Sequence, residues 1–324
     1  MIIVPRSLPA PNRHAQQEAF DRLHGRYDVR VLEPSAPAVA VPPWFADDPV
    51  ATGERSGAQR ELVSPVTTGD LLWEEVARGD DELEEFCRRR WLGPYPRLGP
   101  APHGLGPTRA ALHRLAEKLI SPTRERATGK IGLRYTMGGF GTPFFGEDVQ
   151  LRISGDLLTV QAGRHAREGR LTTLEEAARL IGSGLTGFEP APEDEPLAID
   201  VPASRFVGDW VGFAASVLEQ LRAEAVPEHE PSRVQIWPEH FDTALELGSE
   251  AQGRRAAYGC SPGDEAHPEP YLYVAPWSAT PEGELWRADG FSGADLPYRA
   301  LLESEDQRAE ALSFFRTRLA DLHH

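Results

Sequence analysis

The densest run of ligand-type and proton-transfer side chains in the sequence is Asp264-Glu265-Ala266-His267-Pro268-Glu269, and His240-Phe241-Asp242 lies upstream of it. Neutral imidazoles and ionised carboxylates are borderline and hard ligands suited to zinc, manganese or iron. If a strand beginning near Phe241 lies beside the loop before Tyr271, then His240, Asp242, Asp264 and His267 form a candidate divalent-metal set. The two histidines would be ligands and Asp242 a ligand or an orienting group. Glu269 would be left free as general base on a metal-bound water, the role that a hydrolase needs. Strand parity supplies part of this: Phe241, Thr243, Leu245 and Leu247 would face a core, leaving His240, Asp242 and Glu246 on the other face, successive ones about 7 Å apart. The spacing fits no zinc signature such as H-E-x-x-H, which leaves a solvated strand face beside an acidic turn as the competing reading.

Two other segments could carry chemistry. Cys260, in Tyr258-Gly259-Cys260-Ser261-Pro262, stands at an expected strand end where a nucleophile could be presented. Ala256, Tyr258 and Cys260 share one strand face, however, and a free cysteine there reads as a small buried hydrophobe. The cluster Gly138-Gly139-Phe140-Gly141-Thr142-Pro143-Phe144-Phe145-Gly146 would let backbone amides converge on an anion. It has neither phosphate-loop spacing nor a following helix, so a mobile, aromatic-tipped hairpin loop is the expectation.

These residues must be positioned by the elements around them. Residues 1–106 form a Pro-rich N-terminal segment with room only for short helices, such as 14–25 and 70–91. The charge run Asp80-Asp81-Glu82 reads as a solvated helix face. From 107 to 188 the pattern is regular. Leu112, Leu115 and Leu119 recur at helical spacing until Pro122 and Gly129 interrupt them. Residues 130–137 and 149–154 alternate as strands, and Gly155-Asp156 marks a tight hairpin into 157–161. A helix follows with capping-box spacing at Thr173 and Glu176. Residues 189–203, with Glu189-Pro190-Ala191-Pro192-Glu193-Asp194-Glu195-Pro196 at their start, read as an acidic linker. In 204–324 a helical stripe of Phe206, Trp210, Phe213, Val217 and Leu221 precedes strands at 233–237, 241–247, 254–260 and 271–277, then a C-terminal helix from Ser304. The expected fold class is α+β: antiparallel sheets flanked by helices, in two similar helix–meander–helix halves.

Gly129-Lys130-Ile131-Gly132-Leu133-Arg134 running into Gly138-Gly139-Phe140-Gly141-Thr142-Pro143 is one distinctive stretch. The other is Trp237-Pro238-Glu239-His240-Phe241-Asp242 with Pro270-Tyr271-Leu272-Tyr273-Val274-Ala275-Pro276-Trp277. Together they resemble an uncharacterised group of actinobacterial proteins over roughly residues 107–320. The resemblance implies a bacterial origin and transfers no catalytic residue.

Composition narrows the function classes. The 324 residues carry 50 acidic and 34 basic side chains, a formal charge of -16 that repels phosphate backbones and anionic lipid, so neither nucleic acid nor membrane is an expected partner. No window approaches the roughly twenty apolar residues of a membrane span, and Cys87 and Cys260 show no disulfide or zinc spacing. A cytoplasmic setting is expected. Two function classes remain: an enzyme acting on a small molecule, metal-assisted and hydrolase-like, or a non-catalytic small-molecule-binding or protein-interaction module. The first requires His240, Asp242 and the 264–269 loop to converge with shifted pKa values. The second requires them to scatter while Phe140, Phe144 and Phe145 form an exposed patch.

Overall fold

The computed structural model describes residues 81, 95, 97–136, 138–143, 145, 149–162, 165–187 and 196–323. The two expected N-terminal helices, the acidic charge run apart from Asp81, and Cys87 lie outside the described residues.

The architecture is α+β. Helix α1 (Leu105–Leu115) runs through a π turn at Ala116–Ile120 into α2 (Ser121–Thr128). A five-stranded antiparallel meander follows: β1 (Arg134–Thr136), β2 (Gly139–Gly141), β3 (Val149–Ser154), β4 (Leu157–Ala162) and β5 (His165–Arg170), paired in chain order. Helices α3 (Leu174–Ile181) and α4 (Ser183–Thr186) complete the first half. The second half opens with the long helix α5 (Val201–Glu224). Its meander is β6 (Gln235–Trp237), β7 (Asp242–Leu247), β8 (Ala256–Ser261), β9 (Tyr271–Pro276) and β10 (Ala294–Pro297), again paired in chain order, and α6 (Tyr298–Glu303) and α7 (Gln307–His323) end it. Each half thus repeats helix, meander, helix. An isolated antiparallel bridge between Leu133 and Ile236 brings the first strands of the two sheets side by side.

Several local expectations hold. Ser154 pairs with Leu157 around Gly155-Asp156, with Gly155 at φ 60. The Thr173 hydroxyl accepts the Glu176 amide, capping α3. Pro122 does not stop its helix. It lacks an N–H and its ring would collide with the carbonyl four residues back, and the π turn just before it opens the spiral so that Ser121 N reaches Ala116 O instead. The glycine cluster is not a free loop over its described part. Gly139 and Gly141 lie inside β2, and Phe140 and Phe145 are buried. Within 189–203, Leu197 N donates to Thr172 O at 2.7 Å and α5 already starts at Val201, capped by Asp200 Oδ1 on Ala203 N at 3.0 Å.

α5 lies at the centre. Trp210, Phe213, Val217 and Leu221 are buried, as are Val211, Gly212, Ala215 and Ser216 on its other sides, the pattern of a helix enclosed all round over its middle turns. It touches both sheets as well as α1 and α7. In the second sheet Thr243, Leu245, Tyr258, Cys260, Leu272 and Val274 point to this helical side, where Tyr258 meets Phe315 of α7.

The last residues of the Pro-rich segment belong to this core. Leu98 is buried, and its N–H and C=O bond the Gln307 side chain at 2.8 and 3.0 Å. The Arg97 guanidinium donates to Leu302 O, Ser304 O and Glu305 O, and Tyr298 donates to Gly99 O. A fold beginning at Pro107 would lack all of these contacts. A chain starting at residue 94 is expected to be more stable than one starting at Gly104 by at least about 2 kcal/mol, the cost of emptying one buried leucine site. Urea melts of the two chains check this, and coincident melts would contradict it.

Candidate functional site: a carboxyl–tyrosine array on the outer face of the second sheet

The side of the second sheet turned away from α5 carries Trp237, Asp242, Glu246, Ser261, Tyr271, Tyr273 and Asp295, by the same pairing registers that send Leu245 and Tyr258 inward. Parity therefore places Asp242 and Glu246 where the sequence suggested. Glu246 is taken by an ion pair with Arg255 at 2.8 Å.

Asp242 is presented by the β6–β7 hairpin. Phe241 N donates to Trp237 O at 2.7 Å, closing the turn, and Phe241 adopts φ 54, a left-handed conformation that costs a bulky residue about 1–3 kcal/mol. Its buried ring holds it there, edge-on to Phe140 at 5.0 Å and stacked on His113 of α1 at 5.6 Å. The His113 ring also bonds Glu239 O at 3.1 Å.

Asp242 is 3% exposed. Its Oδ2 accepts the Tyr273 hydroxyl, and its buried Oδ1 has no hydrogen-bond partner. Tyr273 stands on β9, and reaches Asp242 on β7 by lying flat across β8. This requires Gly259, where a Cβ would fall 2.2 Å from the tyrosine ring. Burial pushes the Asp242 carboxyl above the usual carboxylate range, with the Tyr273 hydroxyl and the charge of nearby His240 pulling it back. Burial and the Asp242 charge push the Tyr273 hydroxyl far up, so it keeps its proton. Cys260 is fully buried, and burial, then Asp242, drives its thiol well up; it is a neutral packing group and no nucleophile.

The second cluster is the 264–269 loop. Asp264 Oδ1 accepts the Ala266 and His267 amides at 2.8 and 2.7 Å, and Oδ2 accepts the Tyr271 hydroxyl at 2.9 Å. Burial raises this carboxyl, and these donors outweigh it, leaving Asp264 below its ordinary range and ionised. Burial and then Asp264 push Tyr271 up to about 12. The His267 ring lies 4.6 Å from that of Tyr271, its Nδ1 is 3.4 Å from Asp264 Oδ1, and its Nε2 is buried without a partner. Arg109 of α1 donates to Asp264 O at 2.8 Å and Pro268 O at 3.0 Å, tying the loop to the first half. Tyr271 and Tyr273 stand side by side, 6.2 Å between rings, so the two clusters form one array: Asp242, Tyr273, Tyr271, Asp264, His267.

The five residues singled out from the sequence are thus distributed unevenly. Asp242, Asp264 and His267 join the array; His240 stands exposed on the turn beside Asp242; Glu269 is exposed at the end of its loop. Among the described residues no group of three or more His, Cys, Asp or Glu side chains is arranged to hold a metal ion. Sequence reasoning missed Tyr271, Tyr273 and Gly259. The alternation Tyr271-Leu272-Tyr273-Val274 was the available signal, since it puts both hydroxyls on the face opposite the apolar pair.

The raised Asp242 carboxyl has a definite sign in stability. Between about pH 3.9, where an unfolded aspartate loses its proton, and the higher native pKa, the folded chain holds a proton that the unfolded chain has released, so stability falls as pH rises through that window. Asp242→Asn removes this term. The variant is expected to melt higher than the parent at pH 7.5, by a margin that shrinks as pH falls toward 4; a margin independent of pH would contradict the assignment. The chain matches no known protein family, no curated protein and no solved structure.

Proposed function

We propose that the protein is an enzyme acting on a small molecule at the outer face of the second sheet, with Asp242 as its proton-transfer group and Tyr273 as the residue that positions it. The observation that carries this reading is Asp242 Oδ1, a buried acceptor with no partner on a carboxyl whose other oxygen is fixed by a tyrosine hydroxyl. A carboxyl raised by burial and oriented by a neighbour is suited to take a proton from a bound substrate or water and return it. Tyr271, ionised Asp264 and His267 supply the polar wall beside it. A hydrolase-like reaction is the simplest use of such a base.

The contrasting reading, a protein-interaction module, required phenylalanines at the surface. Phe140 and Phe145 are in the core, and Phe144 lies outside the described residues. The array meanwhile converges and carries shifted pKa values at Asp242, Asp264, Tyr271 and Tyr273.

A panel of p-nitrophenyl esters, phosphates and glycosides, run with chelator and with added Zn²⁺ or Mn²⁺, tests the proposal. Asp242→Asn and Tyr273→Phe are expected to lower turnover of any reporter that reacts by about 10²- to 10⁴-fold, the usual worth of a positioned acid or base. Glu269→Gln separates the two candidate bases: full activity in it keeps Asp242 as the base, whereas loss there with activity retained in Asp242→Asn would hand the role to Glu269.

A further inference from the structure

Away from the outer face, two histidines meet at the far end of the second half. After α5 the chain makes a 3-10 turn at Pro227–His229, and α7 ends on His323. The two imidazoles lie with centroids 4.5 Å apart and planes tilted by 59°. Both backbones are tied in place: Gly248 N donates to His229 O at 2.6 Å, and the Arg254 guanidinium donates to His323 O at 3.3 Å.

The hydrogen bonding fixes one tautomer. His323 Nδ1 sits 2.9 Å from Leu319 O, and a carbonyl can only accept, so Nδ1 carries the proton and the lone pair is on Nε2. That Nε2 is buried and unpartnered, and so is His229 Nδ1. Burial, then the adjacent His323, lowers the His229 pKa below its ordinary value, against the pull of Glu228. Asp321, two residues before His323, accepts the Trp286 indole N–H at 2.7 Å.

We propose that His229 and His323 form a binding site for a borderline divalent cation of the zinc and copper class, which staples the end of the C-terminal helix to the turn after α5. Imidazole nitrogen suits these ions, and a ligating histidine whose other nitrogen donates to a backbone carbonyl is the arrangement that fixes ring orientation at metal centres. Both residues are half-exposed, so water completes the coordination; among the described residues no third histidine, cysteine or carboxylate does so.

The test uses the full chain stripped with chelator. Titration with ZnCl₂ is expected to bind one ion per chain and raise Tm by several degrees, an effect lost in His229→Asn and in His323→Asn. With CuCl₂, electron paramagnetic resonance is expected to show two coordinating imidazole nitrogens in the parent and fewer in each variant. Asp242→Asn should respond like the parent, which separates this site from the outer face. The proposal is overturned if the parent shows no zinc response, if either histidine variant retains it, or if the copper spectrum is the same in parent and variants.

Discussion

α5 can lie across both sheets because Gly208 and Gly138 meet with nothing between them. A Cβ on Gly208 would come 2.3 Å from Gly138 O and 2.9 Å from Gly139 N, so any other residue would lift the helix off β2. From that contact the remaining packing follows. Trp210, two residues on, stacks on Phe213 and meets Tyr298 edge-on at 5.7 Å, while Phe206 packs on the same tyrosine. The hydroxyl of Tyr298 in turn holds Gly99, whose neighbour Leu98 is clamped by Gln307. One ion pair, Arg222 with Glu219 at 2.8 Å, lies almost buried on this helix. With both charges so poorly solvated, it specifies the helix's facing more than it stabilises the fold.

The bridge between Leu133 and Ile236 is the other joint, with reciprocal hydrogen bonds of 2.9 and 2.8 Å. Across it the strands run β5, β4, β3, β2, β1, then β6, β7, β8, β9, β10, an order that reads alike from either end. Each half presents its first strand to the other and puts its first helix against its partner's, α1 against α5. The halves differ on the faces turned away from these helices. In the second, Gly259 leaves room for the Tyr273 ring to lie over it, so that a carboxyl on β7 and a hydroxyl on β9 meet across the intervening strand.

What the sequence disclosed was set by interactions that are local. Alternation located β3 and β7 with their faces, the hairpin at Gly155-Asp156 was legible because its turn residues state their own geometry, and the cap at Thr173 was legible because donor and acceptor lie three residues apart. The glycine cluster misled because its glycines answer to Gly208, distant in sequence, and to the backbone of the neighbouring β3, and not to flexibility. Pro122 misled because the π turn that accommodates it has no sequence signature. At the candidate site, parity delivered Asp242 and Glu246 but could not say that Arg255 occupies one and Tyr273 the other, since cross-strand partners depend on register, and register on turns that composition does not fix.

Asp242 and Phe241 are costly neighbours. A buried carboxyl oxygen without a donor costs about 1–3 kcal/mol, and a phenylalanine at φ 54 costs a comparable amount. Either could be relieved by one substitution: glycine or asparagine suits the left-handed turn position, and an apolar residue suits the buried strand site. Glycine at 241 would forfeit the ring that fills the space between Phe140 and His113, so the turn's strain is the consequence of an anchor that fixes the hairpin against α1 and β2. No such packing argument accounts for the carboxyl. The tyrosine crossing β8 to reach it, the glycine that makes the crossing possible and the anchored turn that aims it all serve an oxygen that contributes nothing to the fold by itself. Three separate constraints thus converge on one side chain that destabilises its own environment, a local conflict that the surrounding packing has to carry.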